Sequence, residues 1–170
     1  ATLEAITIDI PAGLDILRHS AAHVMAQAVR DVFGAEVKVA IGPAIEDGFY
    51  YDFDHSTPFT PEDFDTIEAR MAEIISQGLP FVRQEIDRQT AIKTFTDQNE
   101  KYKVELLKDL DNDTISLYHQ GEFVDLCRGP HLPDTSWIKA VKLLRVAGAY
   151  WRGDEKREML QRIYGTAFFD

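Results

Sequence analysis

Cys127 and His131 stand four residues apart, and far upstream His19 and His23 repeat that spacing. Cys127 is the only cysteine of the chain, and histidines number five. Asp125 lies two positions before the cysteine, so on a strand the two side chains share a face. Gly129 and Pro130 then force a turn that can bring His131 back to that face. On a helix, His19 and His23 are one turn apart and both rings can converge on one point.

If these four residues meet, three chemistries are open. One Cys and three His form a tetrahedral ligand set for zinc, although the spacing departs from a closed finger with short Cys-x-x-Cys pairs. Without a metal, a His or Asp can act as general base on a water, with Lys or backbone N–H groups stabilising an oxyanion. The third is a cysteine nucleophile paired with His. A zincin helix is excluded, because it needs Glu directly after its first His and here Ser20 stands there. The chain has no G-x-S-x-G elbow, Walker loop or dinucleotide fingerprint.

The elements that must position these groups are legible in outline. Residues 2–10 have a β-type composition, with Pro11 and Gly13 ending it. A helix is expected from about Asp15 to Phe33, closed by Gly34, with Leu17, Ala21, Val24, Ala28 and Val32 as its apolar stripe. His19 and His23 project from nearly the opposite side, so they face either water or a cleft made with another element. Short strands are expected at 36–41 and 48–53. In the second, Phe49, Tyr51 and Phe53 share one side, and Tyr50 and Asp52 share the other. Thr60 caps a covering helix with Pro61 at its first position and Gly78 after its end. A strand at 81–86 and helical segments at 88–96 and 99–110 follow. Strands at 114–119 and 122–127 form a hairpin, and strands at 140–151 and 160–169 end the chain. Without regular βαβ alternation, this predicts an α+β fold, a mainly antiparallel sheet packed by helices, with a cleft between the first long helix and the sheet. His55 is assigned to a loop and His119 to the hairpin.

With 170 residues, 45% of them hydrophobic, the chain suits one domain with a real core. Residues 1–12 are a possible linker or strand from a preceding domain. A start at Ala1 and an end at Asp170 are expected of a piece of a longer chain. No apolar run approaches a membrane span, and a single cysteine suits a reducing cytoplasm. The net charge of −11 argues against a general nucleic-acid coat protein. Residues 139–162 nevertheless carry seven cations against Asp154, Glu155 and Glu158. This strip is either a phosphate-holding surface or an ordinary solvated region.

Longer strings carry a resemblance. They are His19-Ser20-Ala21-Ala22-His23, the stretch from Ile41 to Asp52, Asp125 to His131, Ala147 to Asp154, and Leu160 to Phe168. Together they resemble the editing domain of bacterial-type threonyl-tRNA synthetase, over almost the whole chain. The paired H-x-x-x-H and C-x-x-x-H alone would also fit alanyl-tRNA editing proteins. The resemblance implies hydrolysis of mischarged seryl-tRNA(Thr) by an activated water, with threonyl-tRNA excluded by pocket size. It implies that His19, Lys101 and Asp125 position the water, with Lys103 close by, and that His131 with Cys127 grips the seryl ester. His23 completes the cluster, Tyr50 lines the pocket, and Arg128 and Gly129 contact substrate. It implies no cofactor for editing, with zinc on His19, His23, Cys127 and His131 as the alternative. The implied partners are the tRNA(Thr) 3′ end carrying serine and the remaining domains of the synthetase, in the cytoplasm and with no membrane. A zinc-dependent alanyl-type deacylase and a non-catalytic tRNA-binding module are the competing readings.

Overall fold

A computed structural model describes residues 2–170. Helix α1 (Pro11–Phe33) is followed by strands β1 (Lys38–Val39), β2 (Ala44–Ile45) and β3 (Gly48–Asp54). Helix α2 (Pro61–Gln77) leads to β4 (Val82–Asp87), α3 (Arg88–Asp97) and α4 (Lys101–Lys108). The chain then forms β5 (Thr114–Gln120), β6 (Phe123–Leu126), β7 (Ala140–Tyr150) and β8 (Met159–Phe168). Two sheets result, and all pairings are antiparallel. One has the order β1-β3-β8-β7 with β2 paired to β3, and the other is β4-β5-β6. This is an α+β fold.

Burial explains the arrangement. Alternation along β3 puts Phe49, Tyr51 and Phe53 into the main core with Leu17, Val24 and Ala28 of α1 and Ile67, Met71 and Ile74 of α2. A separate cluster of Ala91, Phe95, Leu107, Ile115 and Leu117 joins α3 and α4 to β5. Helix α1 is buried almost all round, because Ala21, Ala22, Ala26 and Ala28 let neighbours approach on several sides. One side packs on the first sheet, and the side carrying His19 and His23 meets the end of β6. The cleft therefore lies between α1 and the smaller sheet.

Several boundaries differ from expectation. Residues 2–10 form no strand, because no other strand pairs with them and Thr2, Ile6, Thr7 and Ile8 stay exposed. Helix α1 begins at Pro11, a residue suited to a first turn that lacks hydrogen-bonded N–H groups anyway. Gly13 lies inside it because the Thr7 carbonyl oxygen sits 2.0 Å from where a Cβ would be. The strand expected at 36–41 shrinks to two residues, and β2 was not anticipated. The stretch 88–108 divides where Asn99 takes a left-handed φ of 57°.

Helix α2 follows its sequence signals. Thr60 Oγ1 accepts the Asp63 N–H at 3.3 Å, while Asp63 Oδ2 accepts the Thr60 N–H at 2.8 Å. This reciprocal box satisfies two of the free donors at the helix start. Thr60→Ala should lower the unfolding free energy by about 1 kcal/mol, read by urea denaturation, with an unchanged m-value.

Candidate functional site

The site begins at the hairpin of β5 and β6. Asp125 is 1% exposed and points toward α1. Cys127 lies just past β6, but its N–H still donates to the Ser116 carbonyl at 3.3 Å, so the alternation continues and it shares the face of Asp125. Gly129, at φ 74°, then reverses the chain. A Cβ there would lie 2.1 Å from Tyr118 Oη, so glycine is required by space as well as by dihedral angle. The turn returns His131 to the same side, where its ring stacks on Phe81 at 5.1 Å and meets Tyr118 edge-on at 4.5 Å.

Across from this turn, α1 presents His19 and His23. The His131 ring centroid is 4.5 Å from that of His19 and 4.2 Å from that of His23. Cys127 Sγ lies 3.3 Å from His131 Nε2 and 3.5 Å from His19 Nε2, and it accepts the Gly129 N–H at 3.1 Å. One donor atom from each of these four residues lies within 4.8 Å of the others. His55 packs between Phe33 and Phe59, and His119 bonds Gln84 Oε1 at 2.7 Å, so neither joins the cluster.

Beneath the imidazoles lies a buried charged network. Asp125 Oδ1 pairs with the Lys103 ammonium, and Oδ2 accepts the Tyr51 hydroxyl at 2.7 Å. His23 Nε2 is 3.5 Å from the same Oδ2. Lys103, 1% exposed, also donates to the Ala40 carbonyl at 2.5 Å and to Tyr51 Oη at 3.0 Å. Both charges of the pair are thus compensated away from water.

Two positions implied by the resemblance lie away from the cluster. Lys101 is exposed and pairs with Asp54 at 3.1 Å and Glu158 at 3.9 Å, outside the cluster. Residues 101 and 103 are about 200° apart on a helix, so only one can face inward, and it is Lys103. The shared face of Lys103 and Leu107, four apart, was the signal for this. Tyr50 likewise points away from the cluster, with its ring at 5.8 Å from Tyr164 and beneath the Arg162 guanidinium at 3.9 Å. Its neighbour Tyr51 takes the inward place that alternation assigns to it. Ser20, which sequence reasoning used only to exclude a zincin, is completely buried and touches His131, with Oγ 3.0 Å from Nδ1.

Electrostatics keep the cluster uncharged. Burial lowers the pKa of His19, against the pull of Asp125 and with the push of Lys103. Burial, His19 and Lys103 all hold His23 well below the usual imidazole range. Burial and the two other imidazoles likewise hold His131 far below the usual range, against the pull of Asp125. Burial pushes the Cys127 thiol up to about 11, partly offset by the Gly129 N–H. Neutral imidazoles can accept protons, and a thiol in this state is a weak nucleophile at neutral pH.

Three clefts border the cluster, one of them, of about 530 Å³, lined by His131 with Ile6, Ile8 and Phe169. A cleft of about 520 Å³ is lined by Cys127 and Arg128, with Arg83, Leu106 and Leu126. A smaller one of about 270 Å³ is lined by His19 and Gly129 with Ile16, Pro43 and Ala44. The basic strip is largely neutralised by acids. Lys142 pairs with Glu68, Arg152 with Asp109, Arg157 with Glu105 and Arg162 with Asp52. Among the described residues, no helix is long and apolar enough to cross a membrane.

Two outcomes are expected. Lys103→Met strands a buried carboxylate and should destabilise by about 3–5 kcal/mol in chemical denaturation. Lys101→Ala removes only exposed pairing and should stay within about 1 kcal/mol. The buried His23 and the half-buried His19 and His131 set a pH dependence. Their folded pKa values are depressed from the usual 6.5, so the unfolded chain binds more protons below that pH. Stability should therefore be steady above pH 7 and fall as pH drops through 6.5, by up to ~1.4 kcal/mol per unit for each imidazole left unprotonated. Thermal melts across this range check it.

Known proteins bear on this geometry. The family model described as "Threonyl and Alanyl tRNA synthetase second additional domain" matches residues 115–164, which hold β6, Cys127 and His131. The threonine–tRNA ligase of Syntrophotalea carbinolica is 60% identical over 171 residues, covering 99% of this chain and 26% of that protein. That of Pelobacter propionicus is 60% identical over 168 residues, again covering 99% of the chain and 26% of the relative. That of Nitratidesulfovibrio vulgaris (Miyazaki F) is 56% identical with the same coverage. The chain spans about a quarter of the length of these curated relatives. With its match running through the site-bearing hairpin and its similarity end to end, the chain belongs to the threonyl and alanyl tRNA synthetase second additional domain family, in the form found within threonine–tRNA ligases.

Proposed function

We propose that this chain is an aminoacyl-tRNA deacylase that clears serine from mischarged tRNA(Thr) after transfer. The observation that carries this reading is the convergence of His19, His23, Cys127 and His131 over the Asp125–Lys103 pair. The kinship with threonine–tRNA ligases supplies the substrate class. Serine and threonine differ by one methyl group, which a binding pocket discriminates by only ~1–3 kcal/mol. A second pocket that admits the smaller amino acid and hydrolyses its ester supplies the rest. The handed-over ester would come from the tRNA 3′ end, with the other domains of the synthetase presenting it in the cytoplasm.

The chemistry requires water, a base and a charge template. A water held between His19 and the Asp125 carboxylate attacks the ester carbonyl carbon. Its proton passes to a neutral imidazole, that of His19, which lines the smaller cleft. The bond to the ribose oxygen breaks, and that oxygen takes up a proton, releasing serine and free tRNA. Lys103 and Tyr51 hold Asp125 in place from behind. Cys127 and His131 contact the aminoacyl end, and Arg128 and Gly129 flank its entry. A cysteine nucleophile is disfavoured, since burial keeps Cys127 a thiol at neutral pH.

A second reading rests on the same four side chains. The compact donor set, with Sγ at 3.3 and 3.5 Å from two imidazole nitrogens, fits a tetrahedral zinc ion held by His19, His23, Cys127 and His131. Bound there, zinc would polarise the ester and lower the pKa of its water. We favour the metal-free reading, because Asp125 and the neutral imidazoles already provide a base and a site for the water.

The deciding experiment is loss of amino acid from seryl- and threonyl-tRNA(Thr) in the presence of this chain. Seryl-tRNA should be cleared well above the buffer rate and threonyl-tRNA should not. Activity should persist after chelator treatment, and Cys127→Ala should retain turnover. Release no faster than buffer would leave a non-catalytic tRNA-binding module. Loss with chelator, together with zinc by elemental analysis, would establish the metal-dependent route. Complete loss in Cys127→Ala with tRNA binding intact would restore the thiol as nucleophile.

A further inference from the structure

Ser20 lies between the two histidines of α1 in sequence, and its side chain is completely buried. Its Oγ has one proton and three polar neighbours. It lies 2.8 Å from the Ile16 carbonyl oxygen one turn back, 3.0 Å from the Leu132 N–H and 3.0 Å from His131 Nδ1. Each neighbour's role follows from its chemistry. The Leu132 N–H can only donate and the Ile16 carbonyl can only accept, and the carbonyl is the nearer of the two possible acceptors, at 2.8 Å against 3.0 Å for Nδ1, so the hydroxyl proton is assigned to Ile16. With that assignment Oγ engages His131 Nδ1 as an acceptor, and Nδ1 carries the hydrogen. In the neutral ring the lone pair then sits on Nε2, which is 3.3 Å from Cys127 Sγ.

We propose that Ser20 is a positioning residue that fixes His131 as its Nδ1–H tautomer and so presents Nε2 to the cleft as an acceptor. In the resting site that acceptor takes the Cys127 S–H. During turnover it is the group that receives a hydrogen bond from the ammonium of an aminoacyl ester. Phe81 and Tyr118 hold the ring plane by contact, but an apolar face cannot choose between tautomers. Polar atoms at the ring nitrogens can, and Ser20 Oγ is the one at Nδ1. Ser20 also ties the turn to the helix, since its Oγ accepts from the backbone of Leu132, the residue after His131. The tautomer assignment stands on geometry alone, while its catalytic consequence rests on the hydrolytic reading above.

The test is long-range 1H–15N NMR on the chain labelled with 15N-histidine, with His131 assigned by its loss in His131→Gln. Wild type should show His131 protonated at Nδ1. Ser20→Ala should shift the population toward Nε2–H, and Ser20→Thr, which keeps the hydroxyl, should restore Nδ1–H. If Ser20→Ala does not fold, Ser20→Cys gives the same reading, because it keeps the volume while sulfur is a weak acceptor. In seryl-tRNA hydrolysis, KM should rise roughly 10–100-fold in the Ala and Cys variants with kcat little changed. A wild-type ring protonated at Nε2, or an unchanged Nδ1–H form in the variants lacking the hydroxyl, overturns the assignment. A wild-type Nδ1–H form without deacylation would sink the hydrolase reading and leave the tautomer assignment standing.

Discussion

A carboxylate and an ammonium held out of water side by side are the constraint from which the rest follows. Asp125 and Lys103 are each 1% exposed, and neither charge could remain there without the other. Their pairing draws α4 toward the end of β6. The Tyr51 hydroxyl and the Ala40 carbonyl complete the set of partners and tie in β3 and the segment before it. Helix α1 is then laid across the top, with His23 closest to the carboxylate. The local field serves chemistry as well as structure. A cation beside buried imidazoles disfavours their protonation, so the pocket keeps several proton acceptors ready near neutral pH.

The same geometry separates reactivity from mere presence. Cys127 is the only thiol of the chain and stands at the centre of the cluster, a placement that suggests covalent catalysis. Its surroundings argue otherwise, because a low-polarity setting stabilises the protonated form. What remains is a small, polarisable group that fills the space between two imidazoles and accepts one backbone N–H. The loop carrying it is braced by Tyr118, Phe81 and the Ser20 contact, so the site rests on packed side chains rather than on a mobile tip.

Much of this could be read from residue order, and the exceptions have physical causes. Helix α2 announced itself through Thr60, Pro61 and Gly78, all local signals. The hairpin and the four-residue cluster were visible because spacing on a strand and on a helix fixes which side chains share a face. The 2–10 segment was misread because composition does not supply a partner strand. Lys103 and Tyr51 were passed over in favour of neighbours one or two positions away, although helical and strand periodicity pointed to the inward residue in both cases. The pairing of the basic strip was not legible, because its acidic partners, Glu68, Glu105, Asp109 and Asp52, lie far off in sequence. Ser20 was legible only as an absence of Glu, since nothing local shows that its hydroxyl meets a ring 111 residues away.

That separation also bears on how the pocket comes into being. His19 and Cys127 are 108 residues apart, and contacts spanning such loops carry a large closure entropy. A chain leaving the ribosome N-terminus first exposes its helix-borne imidazoles well before the thiol and its turn have been synthesised. The four-residue cluster is therefore a late product of synthesis, completed when the hairpin docks, and a nascent chain truncated before the hairpin carries only its helix-borne half.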